Sequence, residues 1–152
     1  MLPDTPDRVP EHSPRSANIA IEQRTLEQLR RYSSEPALIP ARLKTLDEEW
    51  DVERTLEMNA STLAFIGTAL GWAISPWFLI IPLLVTLFLF QHAVQGWCPP
   101  LPILRYMGFR TTREIDSERT ALKIIRGDFA SLEANHSKTT SGVSSAFQAA
   151  KS

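Results

Sequence analysis

The sequence predicts an all-α membrane protein: a two-helix transmembrane hairpin between amphipathic flanking helices on the cytoplasmic side. Three observations predict it. From Met58 to Leu104 run 47 consecutive residues without Asp, Glu, Lys or Arg, in a chain that is 22% charged. A charge at the bilayer centre costs at least about 2.5–3.5 kcal/mol on insertion scales, and the stretch is about twice the ~20 residues that one spanning helix needs. Ser75-Pro76 then divides it, because Ser is a good N-cap and Pro suits the first helical position. Finally, Arg42, Lys44 and Arg54 precede the stretch, Arg105, Arg110, Arg113 and Arg119 follow it, and the turn holds no basic residue. The positive-inside rule therefore puts both termini in the cytoplasm.

The 152 residues amount to one domain, and much of their apolar content lies in the charge-free stretch. Residues 1–57 hold 8 basic and 12 acidic side chains, a net of −4, and residues 105–152 hold 8 and 5, a net of +3. Neither flank is basic enough for nucleic acid, and their opposite signs favour pairing.

Residues 1–40 read as disordered with one short helix. Pro3, Pro6, Pro10 and Pro14 stand among charges up to residue 17, with no apolar core of a signal peptide. Residues 18–32 carry Ile19, Leu26 and Leu29 on one helical face, and Pro36 and Pro40 break that helix. Residues 41–57 form a juxtamembrane helix, with Leu43, Leu46 and Trp50 recurring at helical spacing. Glu49, Glu53 and Glu57 form an acidic stripe on another of its faces, and like charges at that spacing repel. A basic partner would relieve them.

The hairpin occupies residues 58–98, with spans over 58–74 and 76–95. Trp77–Gln95 holds twelve Leu, Ile, Val or Phe residues, and Met58–Ile74 only five. Pro82 is expected to kink the richer span, and the poorer one is expected to insert as half of a hairpin. Ala60, Ala64, Gly67 and Gly71 make a small-residue stripe for close helix packing, either within the hairpin or between chains. Trp72 and Trp77 flank the outer turn, as an aromatic belt would.

Residues 99–133 read as a juxtamembrane turn followed by an amphipathic helix from about Arg113, capped at Thr112. Ile115, Leu122, Ile125 and Phe129 lie on one face, and Arg119, Lys123 and Arg126 on another, placed to meet anionic lipid or the Glu49/Glu53/Glu57 stripe. Arg126-Gly127-Asp128 spells an adhesion tripeptide that recurs by chance. Residues 134–152 read as a flexible tail.

No phosphate-binding loop, nucleophile elbow or paired-cysteine motif occurs, so no enzyme, cofactor or metal is expected. The one chemical candidate is Cys98, with His92 and Arg105 as neighbours. A dithiol needs a second cysteine where Leu101 stands. A single thiol with its pKa lowered by Arg105 stays open, beside the plainer reading of a buried small residue at a tight helix exit.

Gly96-Trp97-Cys98-Pro99 and Gly108-Phe109-Arg110-Thr111, with Asn59 and the Gly67/Gly71 pair, resemble the YgaP-like inner-membrane domain family over about residues 56–112. The resemblance implies a dimerising two-helix hairpin in the bacterial inner membrane, sometimes linked to sulfur metabolism or small-anion export. The chain lacks the rhodanese domain of the namesake, and its first helix lacks the arginines that commonly follow the family's opening Asn. Sulfurtransferase activity therefore does not carry over. The expectation is a non-enzymatic hairpin that self-associates through Gly67 and Gly71 or supports a partner. Its alternatives are a thiol accessory to a separate sulfurtransferase and an oligomeric anion conduit. The lipid bilayer and a homodimer complete the partners.

Overall fold

The computed structural model describes residues 5–129, and all of its regular structure there is helical. In order these are α1 (Thr5–Glu11), α2 (Arg15–Ser34), a 3-10 turn (Pro36–Leu38), α3 (Ile39–Glu48), α4 (Val52–Ala73), a second 3-10 turn (Pro76–Leu79), α5 (Ile80–Gln95), α6 (Leu101–Met107) and α7 (Thr112–Arg126). They divide into two units. The first comprises residues through Arg24 and Glu49–Ile115; the second comprises Thr25–Glu48 and the residues from Asp116.

In the first unit, α4 and α5 form an antiparallel hairpin. A Cβ at Gly71 would lie 2.6 Å from Leu79 Cδ2, and one at Gly67 2.7 Å from Pro82 Cδ and 2.8 Å from Ile81 Cβ. The glycines of the stripe thus pack within the hairpin: both are buried, Gly67 against α5 and Gly71 against Leu79 of the 3-10 turn before it. Gly67 and Gly71 serve the packing of the hairpin on itself. Ala60 and Ala64, nearer the base, instead border cavities.

Among the described residues, one helix is long and apolar enough to cross a membrane: Pro76–Gln95, 20 residues with a mean hydropathy of 2.0 and almost none of it buried. The second expected span does not qualify alone. The helix containing it starts at Val52, so Glu53, Arg54 and Glu57 share it with the polar Asn59, Ser61 and Thr62. Outward apolar side chains nevertheless occur on both helices, with Phe65 75% exposed and the turn-flanking Trp72 and Trp77 91% and 83%. Hydroxyls on these exposed faces return to their own helix: Ser61 Oγ donates to Glu57 O (2.6 Å), Thr68 Oγ1 to Ala64 O (2.8 Å) and Thr86 Oγ1 to Pro82 O (2.8 Å). Pro82 is the third residue of α5. It lies just after the 3-10 turn, in the first turn of α5, where proline is best tolerated.

Several boundaries differ from expectation. The N-terminal region expected to be disordered contains α1, and α2 is 20 residues long. Its buried face is Ala17 and Ile21, while Ile19 and Leu26 are exposed. The helix expected over 41–57 is two helices. α3 ends at Glu48, and Asp51 caps a new one, its Oδ1 accepting from Arg54 N at 2.7 Å. α6 lies where a turn was expected. α7 ends at Arg126, so the expected residues 130–133 of that helix and the tail over 134–152 lie outside the described residues.

The core of the first unit gathers Val9, Val52, Leu56, Cys98, Leu101 and Leu104, with Trp97 and Phe109 against it. In the second unit, Ile39, Leu43 and Leu46 of α3 and Leu122 of α7 are buried.

Candidate functional site at the base of the hairpin

The hairpin is tight at its turn and open at its base. Between the base of α4, the last turns of α5 and the Cys98–Ile103 segment lies a cavity of about 620 Å³. Its walls include Leu56, Leu63, Phe88 and Ile103, and its polar groups come from Asn59, Thr62, His92 and Cys98; no charged residue lines it among the described residues. A second cavity of about 580 Å³ is bordered by Trp50, Arg54, Glu57, Ala60 and Ala64. The Arg54 guanidinium lies 4.4 Å from the centre of the Trp50 ring.

The backbone that places His92 and Cys98 follows from Gly96. α5 ends there with φ 73°, and Gly96 N donates to His92 O at 2.7 Å, a left-handed helix stop. The αL region disfavours a side chain. Space forbids one as well, because a Cβ at Gly96 would lie 2.6 Å from Arg8 Cβ. Arg8 reaches in from α1 and donates to the carbonyls of Val94 and, at 3.2 Å, Ala93. A cation thereby satisfies helix-end carbonyls that have no intrahelical donor.

His92 is 5% exposed, and neither ring nitrogen has a hydrogen-bond partner among the described residues. Cys98 is 3% exposed. Burial pushes its thiol pKa up, against a smaller pull from the Leu101 backbone N–H. The expected lowering by Arg105 is corrected for a geometric reason: the guanidinium is committed elsewhere. Arg105, 1% exposed, donates to Glu114 Oε2 (2.7 Å) and Oε1 (2.8 Å), to Phe109 O (3.1 Å) and to Asn18 Oδ1 (2.8 Å). Asn18 in turn donates to Pro10 O at 2.7 Å.

Glu114 also closes a capping box. Thr111 N donates to its Oε2 (2.8 Å), and Glu114 N donates to Thr111 Oγ1 (3.2 Å). The cap of α7 is therefore Thr111 and not Thr112. Thr112 Oγ1 donates instead to Asp51 Oδ2 at 2.9 Å, joining the starts of α7 and α4. Burial works to raise the Glu114 pKa, but the hydrogen bonds and charge of Arg105 and the Thr111 contacts outweigh it and hold it low.

One member of the acidic stripe takes a partner other than those expected. Glu49 takes Arg110 in a two-bond pair, Nε to Oε1 at 2.8 Å and Nη2 to Oε2 at 2.7 Å. Arg110 O also accepts from Val52 N at 2.9 Å. Both Glu53 oxygens are buried without a hydrogen bond of normal geometry among the described residues. Burial pushes that carboxyl pKa up, and the Asp51 and Glu114 charges push the same way; the nearby N–H groups of Glu53 and Thr112 oppose them. Glu57 is exposed at the rim of the second cavity.

The basic face of α7 is occupied within the second unit. Arg119 pairs with Asp47 (2.9 Å) and with Asp116. Lys123 is 7% exposed. Arg42 holds the buried Glu118 through bonds of 2.8 and 3.1 Å, a reversed-polarity pair that the stripe gave no sign of. Arg126 Nε donates to Asp128 Oδ1 at 2.7 Å. Gly127 N donates to Ile124 O and Asp128 N to Lys123 O. The adhesion tripeptide is thus the Schellman stop of α7.

Sequence reasoning found His92, Cys98 and Arg105 but missed Arg8, Asn18 and Glu114. Of these, only Glu114 had a local signal, the Thr111-x-x-Glu114 spacing. No family model matches the chain, and neither a curated protein nor a solved structure matches it.

Proposed function

We propose that this chain is a small integral membrane protein whose α4–α5 hairpin inserts as a unit. Both termini and the charged base stay on the cytoplasmic side of a bacterial inner membrane, and the protein acts as a non-enzymatic membrane module that supports a partner. The observation that carries this reading is the segregation along the hairpin. Its turn half is charge-free, apolar and outward-facing, with self-satisfied hydroxyls, while the ion pairs of the first unit gather at its base. A bilayer core has no water to satisfy polar groups, and such a surface suits it. α4 lacks the hydropathy to insert alone, and its packing on α5 through Gly67 and Gly71 supports joint entry. The resemblance to YgaP-like hairpins fits this anchor and brings no catalysis with it.

Alkaline carbonate extraction, combined with alkaline phosphatase inserted after Ser75 or at the C-terminus, tests the reading. The protein should stay in the membrane pellet, with phosphatase active at the turn and inactive at the terminus. Release by carbonate, or an inactive turn fusion, would overturn it.

A further inference from the structure

We propose that the 620 Å³ cavity at the hairpin base binds a neutral, membrane-soluble molecule with an apolar body and a hydrogen-bonding oxygen, held by His92. The class covers a quinone ring and an uncharged glyceride.

The imidazole carries the argument. His92 is 5% exposed, lines the cavity and leaves both nitrogens without a partner among the described residues. Leaving a buried polar group unmet is costly, the more so in surroundings of low dielectric. A neutral imidazole offers one donor and one acceptor, which suits a carbonyl or hydroxyl oxygen. Asn59 adds an amide from the facing helix.

The walls define the rest of the ligand. Among the described residues no cation lines it to balance a phosphate or carboxylate, and no anion to balance an amine. Leu63 and Ile103, both more than half exposed, leave the apolar wall open to the surroundings. On the membrane reading, on which this inference rests, those surroundings are lipid at the cytoplasmic boundary. The volume lies within the roughly 300–1,000 Å³ of ordinary small-molecule sites, which are likewise mostly apolar with few polar groups.

The test uses the full chain in phosphatidylcholine nanodiscs, titrated with decylubiquinone and read by quenching of tryptophan fluorescence. Trp97 adjoins Cys98 and packs on the same core, close enough to report. The expected result is saturable quenching, weakened about tenfold in His92→Leu, the loss of one buried hydrogen bond, and partly restored in His92→Asn. Ala60→Phe, which fills the cavity and keeps the histidine, should abolish saturation. Circular dichroism confirms that each variant is folded. Dioleoylglycerol is the second arm: saturable displacement of the quinone assigns the glyceride, and its failure to displace assigns the ring. Quenching that grows linearly with probe and is equal in wild type, His92→Leu and Ala60→Phe would overturn the proposal. So would a dimer, seen by native mass measurement, that Ala60→Phe dissociates while no probe saturates, since the occupant would then be a second copy. Carbonate extraction of the same material separates the two readings. A protein retained in the membrane without saturable binding defeats this inference alone.

Discussion

Arg105 Nη1 and Nη2 clasp the two carboxylate oxygens of Glu114 at 2.7 and 2.8 Å, with the arginine side chain wholly buried. The clasp joins the end of α6 to the start of α7, and Asn18 extends it toward α1. Removing one member of a buried pair leaves the other charge without compensation and costs about 3–5 kcal/mol. Arg105→Leu should therefore lower stability by about that amount in a denaturant titration, and adding Glu114→Gln should recover part of it. Additive losses would show that the two groups are not coupled.

The same carboxylate sets an acid limit. The folded-state pKa of Glu114 lies below its unfolded value. Its contribution is present above the ordinary carboxylate range and fades as pH falls through the lowered value. Wild type should lose melting temperature on acidification, and Glu114→Gln should lose less.

Glu53 predicts the opposite slope. Burial raises its folded-state pKa, so folding favours the protonated form. Stability then declines as pH rises from the ordinary carboxylate value through the raised one. Glu53→Gln should melt higher than wild type at neutral pH, with the difference vanishing in acid. An equal shift at every pH would mean that the carboxyl does not titrate between the two states.

Gly67→Leu should destabilise the single chain rather than dissociate an oligomer, because a Cβ there would run into Pro82 and Ile81. Over-packing costs about 1–3 kcal/mol. Thermal melting and native mass measurement, taken together, check this: a lost dimer with unchanged melting would return the stripe to an intermolecular role.

Cys98 should resist alkylation in the folded protein at neutral pH, reacting on the order of tenfold more slowly than a free thiol, because burial both hides it and disfavours the thiolate. Unfolding in detergent should restore ordinary reactivity. Fast labelling of the native protein would favour the thiol-accessory alternative.

What could be seen in the sequence was what local chemistry dictates. The charge-free stretch marks the hairpin, Ser75-Pro76 marks its turn, and Gly96 follows the last residue of α5. α6 escaped because Pro99, Pro100 and Pro102 read as a turn, although proline is at home in a helix's first turn. The break at residues 49–51 escaped because Leu43, Leu46 and Trp50 keep helical spacing across it. The partners of the charges escaped for a different reason: Arg110 and Glu49 are 61 residues apart, and Arg105 and Asn18 are 87 apart. The charge pattern marked the flanks as complementary, but pairing required their folded positions.

The Arg8 bonds to Ala93 and Val94 span 85 and 86 residues, and this has a consequence for order in time. During synthesis α1 emerges long before the carbonyls it will hold. Contacts so distant in sequence close slowly, since the intervening chain must first be brought together. The hairpin needs only neighbouring segments and can form without them. α4 and α5 can thus pair first, and Arg8 closes on the end of α5 afterwards.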